Sequence, residues 1–397
     1  MKINDPIVIT GIARTPQGNM LGALKDFSAP QLGAIAIKGA IENSKISPND
    51  ITDLIMGCVL SAGLGQAPGR QASLYSNIPE STHCLTINKM CGSGMQAVIL
   101  AYQALLSTDS NNIYVAGGME SMTNAPFLAM DARKGYRLGH KPLLDHLIYD
   151  GLEDAYDKGK PMGYFAESCA KDNSISRDEQ DLFALESIIN ARNAIKNNSF
   201  KNEITSITIK NKKIETKINL DEHPQSVNPD KFKILPPIFK ENGTITAGNA
   251  CSIADGAAAL VLMRESKALK MNLKPIAKIL NFSTFSKPPT EFATAPVGAI
   301  KLLLNKLKWD TNKIDLYEIN EAFAVVPLFA MKELNIPRHK INIYGGGCAL
   351  GHPIGATGAR ILVTLVSALI NENKKYGVAS LCIGGGEATA IAIENLI

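Results

Sequence analysis

The sequence predicts an α/β protein made of two similar halves, with a different kind of segment inserted between them. Short apolar runs alternate with helical patterns in residues 1–123, and the alternation returns at residue 244. Between residues 124 and 243, Gly, Pro, His and charged residues replace most of these runs. We therefore divide the chain into a first half (1–123, completed by 244–273), an inserted segment (124–243) and a second half (274–397).

Length and composition narrow the class of protein. At 397 residues the chain exceeds the size of one typical core, and it is 45% hydrophobic and 20% charged with a net charge of +4. This charge is too small to indicate a nucleic-acid or membrane partner. Seven cysteines at irregular spacing favour free thiols in a reducing compartment. With neither a targeting pattern nor an apolar run of about twenty residues, we expect a cytoplasmic protein.

The first half contains four predicted strands. Turn-forming residues flank the apolar run at residues 54–60, which is typical of a strand buried on both faces. A capping serine, Ser28, precedes a helix over residues 29–43. The other predicted elements of this half are a short helical turn at 47–50, a helix at 71–77, a helix after Cys91, and strands at 7–10, 83–87 and 112–118.

The inserted segment and the second half follow the same local rules. Ser176 and Glu179 form a capping box that starts a helix over residues 177–197. In the remainder, we predict strands at 255–263, 276–282, 314–319 and 378–383, and helices at 297–307 and 359–370.

One unit occurs in both halves. A loop, an apolar helix and a strand ending in Gly117-Gly118 are matched by a glycine-rich loop, the helix at 359–370 and a strand ending in Gly384-Gly385. A repeat of about 30 residues indicates an internal duplication. Because both helices are apolar on nearly every side, we expect them to pack against each other between two sheets.

Cys91 is the strongest candidate nucleophile. It directly precedes an apolar helix, whose N-terminal N–H groups and dipole would stabilise a thiolate and lower the pKa. The alternative is an inert, buried packing residue. The duplication would bring His352 to Cys91 as an activating base, and Cys382 would supply a second thiol for proton exchange. Glycine loops leave N–H groups free to bind an oxyanion.

Three further patterns have competing interpretations. Cys348 and His352 are four residues apart, but no second pair completes a tetrahedral zinc site. The glycine loops lack the spacing of a dinucleotide fingerprint. Residues 196–240 contain nine lysines against five acidic residues, which fits either a solvated face, the interpretation that charge pattern favours, or a seat for phosphates.

Four motifs together resemble one known family. They are NKMCGSGMQA at 88–97, NEAFA at 320–324, GGGCALGHPIGATGAR at 345–360 and CIGGGEA at 382–388. These blocks are similar to the signature blocks of the thiolases, and the resemblance extends over the whole chain. It implies a five-layered αβαβα duplication of two βα halves, with an inserted loop domain that binds coenzyme A (CoA).

The resemblance also implies catalytic roles. Cys91 would attack an acyl-CoA thioester while His352 takes its proton, and Cys382 would deprotonate a second acetyl-CoA. The enolate oxygen would be held by His352 and by a water on Asn320, and the acyl oxygen by the N–H groups of Cys91 and Gly384. The implied reaction is the reversible condensation of two acetyl-CoA to acetoacetyl-CoA and CoA. Broader-chain 3-ketoacyl-CoA cleavage and a non-catalytic acyl-CoA or lipid carrier are the alternatives.

Substrate contacts carried over from the family are expected at Met162, Gln225, Ala247, Gly248, Cys251, Ala322 and Phe323. The chain departs from many family members at Pro161, Gln225 and Cys251, where histidine, arginine and serine are common. The resemblance further implies lipid metabolism, a homodimer or homotetramer, and no metal or cofactor beyond the CoA thioester itself.

Overall fold

The computed structural model of the protein describes residues 5–211 and 214–397. The strands that it defines are, in chain order, β1 (Ile7–Arg14), β2 (Gly18–Asn19), β3 (Asp53–Gly57), β4 (His83–Ile87), β5 (Ile113–Ser121), β6 (Phe127–Leu128), β7 (Leu144–Asp145), β8 (Ile207–Asn211), β9 (Ile214–Ile218), β10 (Ala254–Arg264), β11 (Ala277–Ser286), β12 (Leu316–Ile319), β13 (Tyr376–Ile383) and β14 (Glu387–Asn395).

The α-helices are α1 (Ala29–Ser44), α2 (Pro68–Tyr75), α3 (Ser93–Ser107), α4 (Met162–Asp172), α5 (Arg177–Lys196), α6 (His223–Ser226), α7 (Glu265–Lys270), α8 (Ala295–Leu307), α9 (Val325–Leu334), α10 (Gly347–Leu350) and α11 (Ile354–Asn371). Several short 3₁₀ turns and one π-helical turn, Leu147–Leu152, connect these elements.

The main sheet is mixed. Its strands follow the order β12-β13-β14-β11-β1-β10-β5-β3-β4, and β2 pairs with the start of β10. The pairs β3–β4, β3–β5 and β12–β13 are parallel, and the other neighbouring pairs are antiparallel. Two residue pairs alone, Val8 with Lys278 and Ile9 with Ala277, join β1 to β11. The two halves of the chain therefore meet at this short contact.

Helices cover both halves and separate them. Helices α1 and α2 pack on β1, β10, β5, β3 and β4, and α8 packs on β11, β13 and β14. Helices α3 and α11 contact each other, and α11 touches strands of both halves. This arrangement confirms the predicted five-layered αβαβα fold.

The α3–α11 contact depends on glycines near the start of each helix. A methyl group added at Gly94 would lie 2.7 Å from the backbone nitrogen of Ala359, and one added at Gly358 would overlap Met95. All side chains of α11 from Ile354 to Leu369 are buried. By length and composition α11 could span a membrane, but here it is a core helix.

The prediction that α3 is covered on every side is wrong for its last turns. Gln103 and Leu106 are exposed there, because this end of α3 faces solvent. Helix α11 also begins at Ile354, earlier than predicted, with Pro353 as its N-cap residue. The sequence prediction missed α4 altogether, because its first residues, Met162 and Gly163, follow a proline and look like a loop.

A buried ionic network fixes the inserted segment to the first strand. The Arg14 guanidinium donates to Glu203 at 2.5 Å and to Asp221 at 2.6 and 2.9 Å, and all three side chains are buried. Burial by itself would lower the pKa of Arg14, but the two carboxylates raise it above its usual value. These contacts hold Glu203 and Asp221 of the inserted segment beside the core.

Candidate active site

Cys91 lies in a tightly held turn two residues before α3. The residue before it, Met90, has a φ of 47°, in the left-handed region that a side chain of this size seldom adopts. The hydroxyl of Ser93 accepts the N–H of Lys89 at 2.8 Å and donates to the carbonyl of Met90 at 2.7 Å. These bonds fix the direction in which the thiol leaves the backbone.

Cys91 does not have the lowered pKa that the sequence suggested. Burial raises the pKa of Cys91 to about 11, although the N–H groups of Gly384 and of Cys91 itself lower it. A small apolar cluster that includes Val59, Leu60 and Ile354 packs against the thiol and removes it from water. The helix terminus is thus outweighed, and Cys91 is a neutral thiol at rest.

The hydrogen bonds of His352 define its tautomer. Its Nδ1 lies 2.6 Å from the hydroxyl oxygen of Thr357, and that hydroxyl donates its own proton to the carbonyl of Pro353 at 2.9 Å. With its own proton on the Pro353 carbonyl, the threonine oxygen is free to accept from Nδ1–H. Nε2 is left without a proton, as a base requires.

His352 is neutral across the physiological range. Burial and, as the smaller cause, the positive charge of Arg360 together lower the pKa of His352 to about 3. The Nδ2 of Asn320 lies 3.5 Å from His352 Nε2. The Oδ1 of Asn320 is buried and has no hydrogen-bond partner among the described residues. The structure thus joins Asn320 and His352, as the sequence predicted, with an open acceptor beside them.

Cys382 lies on β13, close to the nucleophile. Burial raises its pKa well above the usual value, and negative charge on Cys91 or on Cys251 would raise it further. Gly384 lies two residues after Cys382, and its N–H donates a hydrogen bond to Cys91. An ion pair between Lys89 and Glu387 links the loop of Cys91 to the loop that follows Cys382.

A mostly apolar cavity of about 610 Å³ opens beside these groups. His352 lies in its wall together with four of the predicted CoA contacts: Met162, Ala247, Cys251 and Phe323. The remaining lining residues are Asn19, Met20, Met122, Ile148, Leu152, Pro161, Gly163, His223, Ile238, Phe239, Ala250, Ser252, Ile253 and Ile354.

Three of the predicted CoA contacts are not part of this cavity wall. Ala322 is buried, and its carbonyl accepts the N–H of Cys251 at 3.1 Å. Gly248 packs closely against Phe232 and Leu235. Gln225 is exposed on α6, whereas His223 of the same short helix does line the cavity. Gln225 therefore lies on a short helix beside the cavity but does not line it.

The structure also describes Cys348, the candidate metal ligand, and most of the lysines of residues 196–240. The thiol of Cys348 donates to the carbonyls of Asn249 at 3.5 Å and Glu321 at 3.7 Å. In residues 5–211 and 214–397, no group of three His, Cys, Asp or Glu side chains is arranged around a metal position. Lys196, Lys201, Lys217, Lys231 and Lys233 are exposed, and Lys240 lies over the Tyr164 ring. Lys212 and Lys213 lie outside the described residues.

Sequence reasoning missed several residues that build the site. Thr357 lies within the motif at 345–360, and its position five residues after His352 was the signal that could have identified it as a partner of the imidazole. Glu120 follows the strand-ending glycines of the first half, and is described below. Met122, Leu152 and His223 come from loops and short turns that gave no periodic pattern, so the sequence contained no signal for them.

Comparison with known proteins agrees with this geometry. Residues 7–266 match the model for the thiolase N-terminal domain, and residues 273–395 match the thiolase C-terminal domain. The chain is 44% identical to an acetyl-CoA acetyltransferase of Schizosaccharomyces pombe, over 99% of this chain and 100% of the relative. It is also 44% identical to acetyl-CoA acetyltransferase 2 of Arabidopsis thaliana, over 98% of this chain and 97% of that protein.

A solved structure extends the similarity to three dimensions. The Acat5 thiolase from Ascaris suum, in complex with coenzyme A, superimposes with a TM-score of 0.93 at 42% identity. The match covers 98% of this chain and all of that one. The chain therefore belongs to the thiolase family of acyltransferases.

Proposed function

We propose that this protein is an acetyl-CoA acetyltransferase, which condenses two acetyl-CoA to acetoacetyl-CoA and CoA and catalyses the reverse cleavage. The observation that carries this proposal is an apolar cavity lined by His352 and by Met122 and Ile354, two members of the cluster that packs against Cys91. The thiol of Cys91 also bonds to the N–H of Gly384, two residues beyond Cys382. The names of the S. pombe and A. thaliana relatives support the acetyl group as the one transferred.

In the first half-reaction, the sulfur of Cys91 attacks the carbonyl carbon of acetyl-CoA. The thiol proton passes to His352, a new carbon–sulfur bond forms, the bond to CoA sulfur breaks, and CoA leaves with the proton. The carbonyl oxygen becomes negative and accepts from the N–H groups of Cys91 and Gly384. Because Cys91 has a raised pKa and His352 a lowered one, the proton moves with the attack and not before it.

In the second half-reaction, Cys382 acts as a thiolate after giving its proton to solvent, and it removes a proton from the methyl group of a second acetyl-CoA. The resulting carbanion attacks the acetyl carbon on Cys91, a carbon–carbon bond forms and the Cys91 carbon–sulfur bond breaks. The Cys91 sulfur that leaves then takes up a proton from solvent. The enolate oxygen accepts from a water that the open Oδ1 of Asn320 would hold beside His352. Acyl transfer and carbanion formation therefore use two separate oxyanion sites.

The substrate would enter through the cavity between Met162 and Phe323, with the inserted segment 124–243 acting as the CoA-binding domain. We propose that the catalytic set is Cys91, His352, Cys382, Asn320 and Gly384, and that Met162, Gln225, Ala247, Gly248, Cys251, Ala322 and Phe323 belong to the CoA-binding region. Gln225 would contribute through the surface beside His223. The reaction uses no metal or cofactor other than the CoA thioester.

We further propose a homodimer or homotetramer that works in cytoplasmic lipid metabolism, without a nucleic-acid or membrane partner. The sheet edge supports assembly: β4 is the last strand of the sheet, and Leu85 on it is 48% exposed. Phe127, Leu138 and Leu143, around the small β6–β7 hairpin, are also exposed apolar side chains. Sedimentation of the purified chain would give the number of subunits.

Thiolysis of 3-ketoacyl-CoA substrates from C4 to C16 tests the proposed substrate. We expect the highest kcat/KM with acetoacetyl-CoA and a steep decline with chain length. Equal or better activity with the long chains would favour the broader 3-ketoacyl-CoA thiolase. Tight binding of acyl-CoA without any turnover would instead indicate the non-catalytic carrier.

A further inference from the structure

Glu120 is a buried carboxylate that joins two loops from opposite halves of the chain. It lies near the end of β5 and has no exposed surface. Its Oε2 accepts the N–H of Val59 at 3.0 Å and of Gly355 at 2.8 Å, and its Oε1 accepts the N–H of Leu60 at 3.1 Å. The thiol of Cys58 lies 3.7 Å from Oε1. One side chain thus holds the loop after β3 and the first turn of α11.

The close approach of these elements depends on glycine. A methyl group at Gly355 would lie 2.6 Å from Glu120 Oε2 and 3.1 Å from the Cα of Cys58. A methyl group at Gly118, on the same strand as Glu120, would overlap the carbonyl of Gly355. The backbones of β5, the loop after β3 and α11 therefore pack closely around the carboxylate.

The loops that Glu120 holds form one wall of the nucleophile's surroundings. Val59, Leu60 and Ile354 belong to the buried cluster that packs against Cys91. The backbone N–H groups of Val59 and Leu60 donate to Glu120. Ile354 directly precedes Gly355, whose N–H also donates to Glu120. A loss of the carboxylate would release this wall without removing any residue that touches the thiol.

Glu120 also acts on Cys91 through its charge. Its negative charge is among the causes that raise the pKa of the Cys91 thiol. Burial raises the pKa of Glu120 itself to about 7, while its three backbone donors lower it. Above pH 8 most of the molecules therefore have an ionised Glu120.

We propose that Glu120 is a positioning residue for acyl transfer: it fixes the Val59–Leu60 and Ile354 wall beside Cys91, and its charge opposes a free thiolate there. Such a charge keeps the thiol protonated until His352 takes the proton during attack. This inference deepens the acetyltransferase proposal and rests on it. It does not place Glu120 in contact with the reacting atoms.

Alkylation of Cys91 with two reagents of similar size separates charge from shape. Iodoacetate is an anion and iodoacetamide is neutral. The rate of alkylation by iodoacetate divided by the rate with iodoacetamide, at pH 8.5, therefore reports the electrostatic potential at the thiol. In Glu120→Gln we expect this ratio to rise by about three- to tenfold, because a negative charge near the thiol is gone. We also expect kcat for acetyl transfer to fall by about tenfold or more, since at least one backbone N–H loses its acceptor.

Two further variants make the result decisive. Glu120→Asp keeps the charge but shortens the side chain, so we expect an unchanged ratio of alkylation rates and a reduced kcat. Full activity of the aspartate variant would overturn the proposal. This test is available even if Glu120→Gln does not fold. Glu167→Gln is the matched control, because Glu167 is another buried carboxylate that accepts backbone N–H groups, those of Thr244 and Ile245. Its ratio should equal that of the wild type.

An unchanged ratio in a folded Glu120→Gln variant would contradict the proposed role of the charge. Failure of the wild type to transfer acetyl groups at all would instead contradict the proposed function. The two failures are therefore distinguishable in the same set of measurements.

Discussion

The loop and helix that deliver Cys91 and the loop and helix that deliver His352 occupy equivalent places in the two halves, yet they are held in different ways. The Cys91 turn is fixed by neighbours in sequence, through the hydroxyl of Ser93. The His352 loop is fixed by distant residues: Glu120 holds Gly355, and the carbonyl of Ser252 accepts the N–H of His352 at 3.0 Å. The hydrogen bonds that hold the backbone of the Cys91 turn are therefore local, whereas those that hold the backbone of the His352 loop come from distant residues.

This difference explains how a duplicated scaffold obtains two chemistries. Helix α3 reaches solvent at its far end and follows the turn of Cys91, whereas α11 is buried from Ile354 to Leu369 and follows the loop of His352, whose Nδ1 contacts Thr357. The shared topology brings the two groups together, and the surrounding packing decides which is nucleophile and which is base. Both groups are neutral at rest, because burial dominates the pKa of each.

The largest effect that distinguishes the two units is expected at Thr357. Thr357→Val removes the acceptor of the His352 Nδ1–H without changing the volume, so a buried donor is left unpaired at a cost of about 1–3 kcal/mol. We expect kcat/KM for acetyl transfer to fall by roughly 10- to 100-fold. Thr357→Ser keeps the hydroxyl and should recover most of the activity. Full activity of the valine variant would show that the tautomer is fixed by something else.

A smaller effect, on stability, tests the contact between the two helices. Gly358→Ala inserts a methyl group against Met95, and we expect it to lower the free energy of unfolding by about 1–3 kcal/mol. Ser107→Ala, at the exposed end of α3, should change it by less than about 0.5 kcal/mol. Urea unfolding of the two variants gives the comparison. Equal stability would mean that α3 and α11 move apart without cost.

The smallest effect concerns the lysines of residues 196–240. If they attract the CoA phosphates, raising the salt concentration from about 0.05 to 0.5 M should raise KM for acetyl-CoA about two- to threefold and leave kcat nearly unchanged. S-acetyl-pantetheine lacks those phosphates and serves as the control substrate, with a KM that is independent of salt. A constant KM for acetyl-CoA would identify these lysines as a solvated face.

Much of the architecture was predictable because it follows from periodicity. The apolar helices after Cys91 and before residue 371 have no polar stripe, and this pattern alone predicts their packing between two sheets. Helix α4 begins at Met162, between Pro161 and Gly163, and these two residues are typical of a loop. The helix was therefore not predictable from local sequence patterns. The boundaries assigned to the inserted domain remain predictions.

The site was predictable as a set of residues but not as a set of charge states. Cys91, His352 and Asn320 were identified from motifs, and the structure brings His352 and Asn320 within 3.5 Å of each other. The pKa of Cys91 could not be inferred, because it depends on burial by Val59, Leu60 and Ile354, which come from other parts of the chain. Long-range partners such as Glu120 are likewise invisible to local patterns.

In the proposed mechanism, Cys91 carries the acetyl group and Cys382 moves only the carbon-bound proton. Exchange of labelled CoA into acetyl-CoA reports the first step alone, and condensation reports both. We expect Cys382→Ser to retain measurable exchange but to lose condensation by orders of magnitude, since a serine is a far weaker base than a thiolate. Cys91→Ala should lose both reactions. Equal loss of the exchange reaction in the two variants would contradict this assignment of the two thiols.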